Sequence, residues 1–325
     1  MVIDIHAHCL PGELLAAARS EVTRFPNIEF LEHDGSVALA FAGHAPTRPV
    51  NPKLSNHPPR LDFMREQAID LQLPGGWLDA FGYELSPEEG ADWSRFTNER
   101  TLDACRSLPG VTPLATVPLQ DGRLAAAVLR EAIDAGMPGA MIGTQPYGNH
   151  GNLDDPTLDP FWEAAAELAV PIVVHPMFGS ADARLSDYEM MNAVGRVSDI
   201  SIALSRLLFS GHLLRYPDLV VVASTGGGAL PYMLGRLARN HAAFPGKVAD
   251  PEEGFARLYF DSIVFQPDVL RYLADKVGVE RIMLGSDYPF PIGDPAPRAV
   301  IETAGFASEE VELMLSGVAR KLFRL

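Results

Sequence analysis

The chain is short of cysteine, of positive charge and of long apolar runs. Only two cysteines, Cys9 and Cys105, occur in 325 residues, too few for a disulfide framework, so a small stapled secreted fold is excluded and a reducing compartment fits. Lys and Arg number 26 against 42 Asp and Glu, a formal charge of -16, which disfavours phosphate backbones and anionic lipid surfaces as partners. Nucleic acid is therefore not expected to bind. No apolar stretch approaches the roughly 20 residues of a membrane span. The amino terminus has no basic segment leading into an apolar core, so neither a membrane helix nor a secretory signal is expected. These absences point to a cytoplasmic location. The chain also lacks a Gly-x-Ser-x-Gly elbow, which argues against a serine hydrolase.

What is present is an alternation of short apolar runs with amphipathic stretches of helical length. The spacing predicts strands at 2–6, 71–78, 112–117, 139–143, 170–175, 219–223, 257–261 and 281–284. Helices are expected at 60–70, 87–108, 122–135, 157–169, 186–209, 229–243, 265–277 and 296–304. Eight strands, each followed by a helix, predict an α/β fold of the closed (β/α)8 TIM-barrel type, forming a single domain over 1–325. Pro74-Gly75-Gly76 interrupts the second strand and makes it the weakest. Residues 22–58 break the repeat and carry strand-like pieces, Ile28 to Leu31 and Val37 to Phe41, before a proline-rich stretch. They read as a small insertion after the first strand, near the mouth of the barrel.

Two histidines one residue apart, His6 and His8, close the first apolar run. Side chains two apart on a strand share a face, so both imidazoles can reach one ion. Alone, this spacing is better explained by two partly exposed polar residues. His175 also ends an apolar strand, in Val173-Val174-His175-Pro176, and Asp287 follows the last one, in Gly285-Ser286-Asp287-Tyr288-Pro289. Three strand-end histidines and one strand-end aspartate are poorly explained by packing. In a barrel they would lie at the carboxyl ends of strands one, five and eight, the face on which such folds build their sites. Imidazole nitrogens with one carboxylate suit zinc and leave room for a reacting group. Asp261, at the end of strand seven, is placed to orient a ligand histidine. Cys9 should face away from the pair as a small buried residue, and His44 or His57 in the insertion could reach the pocket. Thr225 to Gly228 could cradle a phosphate, but the lysine of a phosphate loop is missing and a tight strand-to-helix turn needs glycine anyway.

His6-Ala7-His8, Val117 to Asp121, His175-Pro176, Arg215 to Leu219, Gly226 to Gly228, Phe260 to Ser262 and Leu284 to Pro291 together resemble the decarboxylase branch of the amidohydrolase superfamily, in particular the aminocarboxymuconate-semialdehyde decarboxylases. The likeness runs in the same order over nearly the whole chain. It implies a (β/α)8 barrel with one divalent metal ion, usually Zn2+, held by His6, His8, His175 and Asp287. It also implies that Arg48 grips a substrate carboxylate, that Arg236 does so from the neighbouring subunit of a homodimer, and that Phe290 lines the substrate pocket. A guanidinium fork pairs two-pronged with carboxylate, so both arginines would suit a dianionic acid. A surface arginine at each position, and a core phenylalanine at 290, are the plainer alternatives.

The chain departs from this pattern at Thr225. The family has a histidine directly before the glycine triplet, and that histidine acts in proton transfer. A threonine hydroxyl can orient a partner but has no pKa near neutrality and cannot replace imidazole as a general base. Losing such a group typically costs about 10²- to 10⁴-fold in rate. Three readings stay open. The first is a metal-dependent, non-oxidative decarboxylase of a small unsaturated or aromatic carboxylic acid, with catalysis resting on Asp287 and Thr225. The second is a metal-dependent hydrolase of a small carboxylated amide, imine or lactone, with Asp287 as general base. The third is a catalytically impaired or engineered variant that still binds substrate.

Overall fold

The structure, a computed structural model, describes residues 1–33, 35–148, 150–177 and 182–325. Its strands in chain order are β1 Ile3–Cys9, β2 Ile28–His33, β3 Ser36–Phe41, β4 Leu71–Gly76, β5 Ala140–Gly143, β6 Pro171–His175, β7 Val220–Ala223, β8 Tyr259–Asp261 and β9 Ile282–Met283. Seven of them, with one extended segment, close a parallel barrel. β1 pairs with β4, and β5 through β9 pair in sequence. The backbone of 111–117 bridges the two groups at Gln72–Val111 and Ala115–Ala140. On the other side Ile5 N–H donates to Leu284 O at 2.9 Å and His8 N–H to Tyr288 O at 2.7 Å, joining the last strand to the first. Strands buried on both faces read as continuous apolar runs, as β6 does with all five residues buried.

The stretch expected as a strand at 112–117 is instead a ribbon held by isolated bridges. Pro113 has no N–H to give to β5, and the side-chain amide of Asn98 takes the place of a neighbouring strand, accepting from Thr116 N–H at 2.8 Å and donating to Thr116 O at 2.9 Å. The interrupted second strand does form, because its glycines allow close packing: a Cβ at Gly75 would lie 2.4 Å from Met141 Sδ. β1 shifts register between Asp4 and Ala7, opposite Pro74.

Of the helix expected at 186–209, only Arg196–Phe209 is α-helical, preceded by a π turn over Met191–Gly195. Tyr188 and Glu189 have φ of 58° and 55°, which ends any earlier helix. Besides the short helices Pro52–Ser55, His212–Arg215 and Pro251–Phe255, two longer helical stretches lie outside the expected set. One is Gly12–Ser20, which buries Leu14, Leu15 and Ala18. The other comprises Ser308–Glu312 and Val318–Phe323 around a π turn, and Leu284 N–H donates to Met314 O there at 3.2 Å, tying this end of the chain to the barrel.

β2 and β3 form an antiparallel hairpin, Ile28 opposite Phe41. This hairpin belongs to a second apolar cluster, distinct from the barrel core, in which Phe25, Ile28, Leu39 and Phe41 pack with Trp93 and Phe96 of the helix Pro87–Cys105. Phe25 meets the rings of Trp93 and Phe96 at centroid distances of 5.2 and 5.0 Å. Trp93 is fully buried and its indole N–H donates to Ala80 O at 2.8 Å. The 22–58 segment is thus anchored by aromatic packing beside the barrel mouth.

A buried polar chain crosses the barrel beneath that mouth. Arg60 donates to Gln72 Oε1 and, at 2.5 Å, to His8 O. Gln72 Nε2 donates to Asp4 Oδ2 at 2.8 Å, and Ser286 Oγ–H donates to the same oxygen at 2.6 Å. Burial pushes the Asp4 carboxyl up against these stabilising bonds. Among the described residues, no helix is long and apolar enough to cross a membrane.

Truncating Trp93 to alanine removes the anchor of the 22–58 segment and leaves a cavity. The expected loss is about 3–5 kcal/mol, read as a lower urea midpoint; a midpoint unchanged from the parent protein would show that the second cluster contributes no stability.

Candidate metal centre

β1 presents His6 and His8 to the inside of the barrel mouth, and β6 ends there with His175. All three are buried, at 1%, 0% and 2% exposure. Asp287 arrives from the loop after β9, where Asp287 N–H donates to His6 O at 2.8 Å. The three imidazoles stand nearly perpendicular to one another, with ring centroids 4.8–5.3 Å apart and interplanar angles of 73°, 83° and 88°. Asp287 Oδ1 lies 3.6, 3.0 and 3.9 Å from the Nε2 atoms of His6, His8 and His175. The four ligand atoms all fall within 4.8 Å of one another.

The opposite nitrogen of each ring is engaged. His6 Nδ1 meets Asp261 Oδ2 at 2.6 Å, His8 Nδ1 meets Gly76 O at 3.0 Å and His175 Nδ1 meets Pro176 O at 2.9 Å. Acceptors on that side place the proton on Nδ1 and turn the Nε2 lone pair inward, the tautomer a metal ligand needs. His6 Nε2, His8 Nε2 and Asp287 Oδ1 are buried without a hydrogen-bond partner among the described residues. Buried donors and acceptors are rarely left unsatisfied, and convergence of such atoms from three side chains, with His175 beside them, fits a divalent cation.

The electrostatics agree. Burial holds the His8 imidazole below its ordinary pKa and the His175 imidazole well below it, so both stay neutral. Burial pushes His6 the same way, but its bond to Asp261 and the nearby charges of Asp261, Asp287 and Asp4 together outweigh this and raise it. Burial opposes charge on Asp287, yet the imidazoles of His175 and His8 hold its carboxyl well below the usual carboxylate range.

Asp261 has the orienting position expected of it. Besides His6, its carboxylate accepts Thr225 N–H at 2.9 Å, Gly226 N–H at 2.8 Å and Ile263 N–H at 3.1 Å. Thr225 through Gly228 all have positive φ, at 55°, 58°, 76° and 62°. Glycine tolerates this, whereas for a β-branched residue it is an outlier. A Cβ at Gly228 would come within 2.7 Å of Val197 O, so this passage needs glycine for close packing.

Two neighbouring cavities open here, the first reaching the converging side chains through Asp287 and the second joined to it through Arg48 and Arg196. One, of about 400 Å³, is walled by Asp287, Phe290, Ile292, Asn192, Arg48 and Arg196. The other, of about 320 Å³, includes Thr47, Asp79, Tyr83 and Glu84 and shares Arg48 and Arg196 with the first. Phe290 packs its ring 5.0 Å from that of His8. Arg48 reaches the cavities but is gripped by Asp79, with Nε–Oδ2 at 3.0 Å and Nη2–Oδ1 at 3.2 Å. Among the described residues, Thr225 lines neither cavity; it contributes its backbone to Asp261. Arg236 is exposed on the helix Leu230–Ala243 and lines neither. His44 borders a smaller cavity beside Tyr83 and Glu84, whereas His57 lies 3.9 Å from Glu13.

Sequence reasoning missed Arg196, Asp79, Tyr83 and Glu84. None belongs to a motif, and only the turn before Arg196–Phe209 directs Arg196 into the cavity wall.

A family model described as amidohydrolase matches residues 3–325. The chain is 29% identical over 265 residues to the 2-amino-3-carboxymuconate-6-semialdehyde decarboxylase of Dictyostelium discoideum, covering 79% of this chain and 73% of that protein. The crystal structure of 5-carboxyvanillate decarboxylase from Sphingomonas paucimobilis superposes with a TM-score of 0.81 at 26% identity, covering 100% of this chain and 99% of the other. The 5-carboxyvanillate decarboxylase of Novosphingobium aromaticivorans, solved with manganese and 4-hydroxy-3-methoxy-5-nitrobenzoic acid, shares the fold, with a TM-score of 0.80 at 20% identity over 100% of this chain and 96% of that one.

Dialysis against zinc followed by elemental analysis is expected to give one tightly held ion per chain. His175→Ala should abolish it, and Asp261→Asn should weaken it by about 10- to 100-fold; full retention by His175→Ala would remove the site. For the metal-free protein, the lowered pKa values of His8 and His175 mean that the unfolded chain binds more protons below about pH 6.5, the ordinary imidazole value. Their contribution to stability is thus present above that pH and lost as the pH falls, while His6 acts in the opposite sense. Denaturant melts from pH 7.5 to 5.5 should show net loss of stability, and a gain would contradict this balance.

Proposed function

The chain belongs to the amidohydrolase family, and from its site we propose a metal-dependent, non-oxidative decarboxylase of a small unsaturated or aromatic carboxylic acid, of the aminocarboxymuconate-semialdehyde kind. The observation that carries this reading is the convergence of His6, His8, His175 and Asp287 beside a cavity walled by an aromatic ring and arginines. The relatives named above are decarboxylases of such acids, which supports it. Three imidazoles and one carboxylate suit zinc; manganese, which accompanies the Novosphingobium enzyme, is the competing ion. The two cysteines are free and buried, in keeping with a reducing cytoplasm.

Decarboxylation breaks the bond between a substrate carbon and its carboxylate; carbon dioxide leaves and that carbon takes up a proton. The ion, when bound, supplies a Lewis acid that orients the acid and stabilises developing negative charge. Phe290 gives a flat apolar wall for a conjugated substrate, and Arg48, held two-pronged by Asp79, forms part of the cavity wall. Asp287 is the group positioned to pass the proton. Its carboxyl is held below the usual carboxylate range, so it is ionised at neutral pH and would pass to the substrate carbon a proton first taken from solvent. Thr225 can orient a partner but not exchange a proton.

Arg236 would act on the pocket of a second copy. Its helix carries Tyr232, 84% exposed, and faces Tyr272, whose hydroxyl donates to Pro231 O at 3.2 Å. Exposed aromatics around an exposed arginine suit a homodimer contact. Hydrolysis of a small carboxylated amide, imine or lactone, with Asp287 as base, is the second reading, favoured by the missing imidazole at position 225.

The test is carbon dioxide release from aminocarboxymuconate semialdehyde by the zinc-loaded protein beside a Thr225→His variant. We expect slow release by the parent and release faster by about 10²- to 10⁴-fold in the variant; silence from both would sink the decarboxylase reading and turn the search to amides and lactones. Because histidine accepts positive φ more readily than threonine, the same substitution should raise stability by about 1 kcal/mol. Arg236→Ala should raise KM in a protein that sediments as a dimer, and an unchanged KM would count against a shared site.

A further inference from the structure

We infer that Arg196, rather than Arg48, is the arginine of this chain that holds the second anionic group of a dianionic substrate. This rests on the proposed function. Arg48 is exposed and its fork is already taken two-pronged by Asp79, an arrangement that satisfies the geometry a substrate carboxylate would otherwise use. Arg196 belongs to the walls of both cavities and shares the larger one with Asp287 and Phe290. An acid seated against those two residues therefore has Arg196 on its perimeter.

The fold holds this guanidinium in place. Asp199, one turn further along the same helix, accepts Met177 N–H at 2.8 Å, Gln145 Nε2–H at 2.9 Å and the Thr144 hydroxyl. These bonds fasten the first turn of the helix across the ends of β5 and β6. The π turn Met191–Gly195 directly precedes it, a wide turn of the sort often found at functional sites. Arg196 Nη1 donates to Pro176 O at 3.3 Å, and Pro176 O is also the acceptor for His175 Nδ1. One carbonyl thus orients both a metal-ligand candidate and the arginine. Burial pulls the Arg196 guanidinium down to about 10, with the Asp287 charge acting against that fall and Arg48 adding to it. It remains a cation at neutral pH, and a second negative charge in the cavity would relieve its desolvation.

The experiment is calorimetric titration of the zinc-loaded protein with two probes, benzoate and isophthalate, which differ by one carboxylate. The parent protein is expected to bind isophthalate about 10- to 100-fold more tightly. Arg196→Gln should collapse that ratio toward one, Arg196→Lys should keep part of it because the charge remains without the fork, and Arg48→Gln should leave it largely intact. A ratio unchanged in Arg196→Gln, or lost in Arg48→Gln alone, overturns the assignment while leaving the metal pocket standing. Failure of both probes to bind a protein that holds its zinc would overturn the pocket reading and this inference with it.

Discussion

One buried carboxylate organises this site. Asp261 is fully enclosed, and its two oxygens receive the His6 imidazole and three backbone N–H groups from the turns after β7 and β8. An enclosed charge without such partners would be very costly, so the protein can keep Asp261 only if all of them stay in place. The orientation of a ligand imidazole, the left-handed path through Thr225 and the close of strand β8 are therefore conditions of one another. Hydrogen bonds of this kind outside the ligand set determine which ring nitrogen faces the ion.

A second requirement comes from barrel closure. Strands β1 and β9 have little ladder between them, and the contact is reinforced through Asp4, which takes Ser286 from one side and Gln72 from the other. Arg60 continues the chain to His8 O and sets its guanidinium 5.0 Å from the Tyr288 ring. The polar network thus spans the strands that deliver His6, His8 and Asp287. Rigid delivery of the ligands and closure of the barrel are the same set of bonds.

How far the sequence disclosed this follows from where each signal lies. Strand-end histidines and an aspartate are legible because strand periodicity and barrel topology leave few places for them, and Asp261 was legible for the same reason. Phe290 followed from the family resemblance, and the paired pieces of the hairpin from local pattern. Arg196 was not legible: it has no motif, and its direction depends on a π turn and on Asp199 binding two other loops. The grip of Asp79 on Arg48 joins residues 31 apart in sequence, which no spacing rule anticipates. The ribbon at 111–117 looked like a strand because its composition suits one, and only the Asn98 side chain reveals that neighbouring backbone was replaced by an amide. The helices at Gly12–Ser20 and Ser308–Phe323 lie outside the eight strand–helix units that the repeat predicts.

The separate aromatic cluster beneath the hairpin has a further consequence. Arg48 and Thr47 hang from a unit whose apolar contacts are largely its own, while the ligand histidines belong to the barrel. Two adjoining cores can open independently, the smaller one at lower free energy. Local opening of the smaller unit would shift Thr47 and Arg48 in the cavity wall while the ligand histidines stay with the barrel, and admission of substrate would then be a local event. Sequence drift in residues 22–58 can then retune which acids enter without disturbing the ion-binding chemistry, so selectivity and reactivity are free to evolve at different rates.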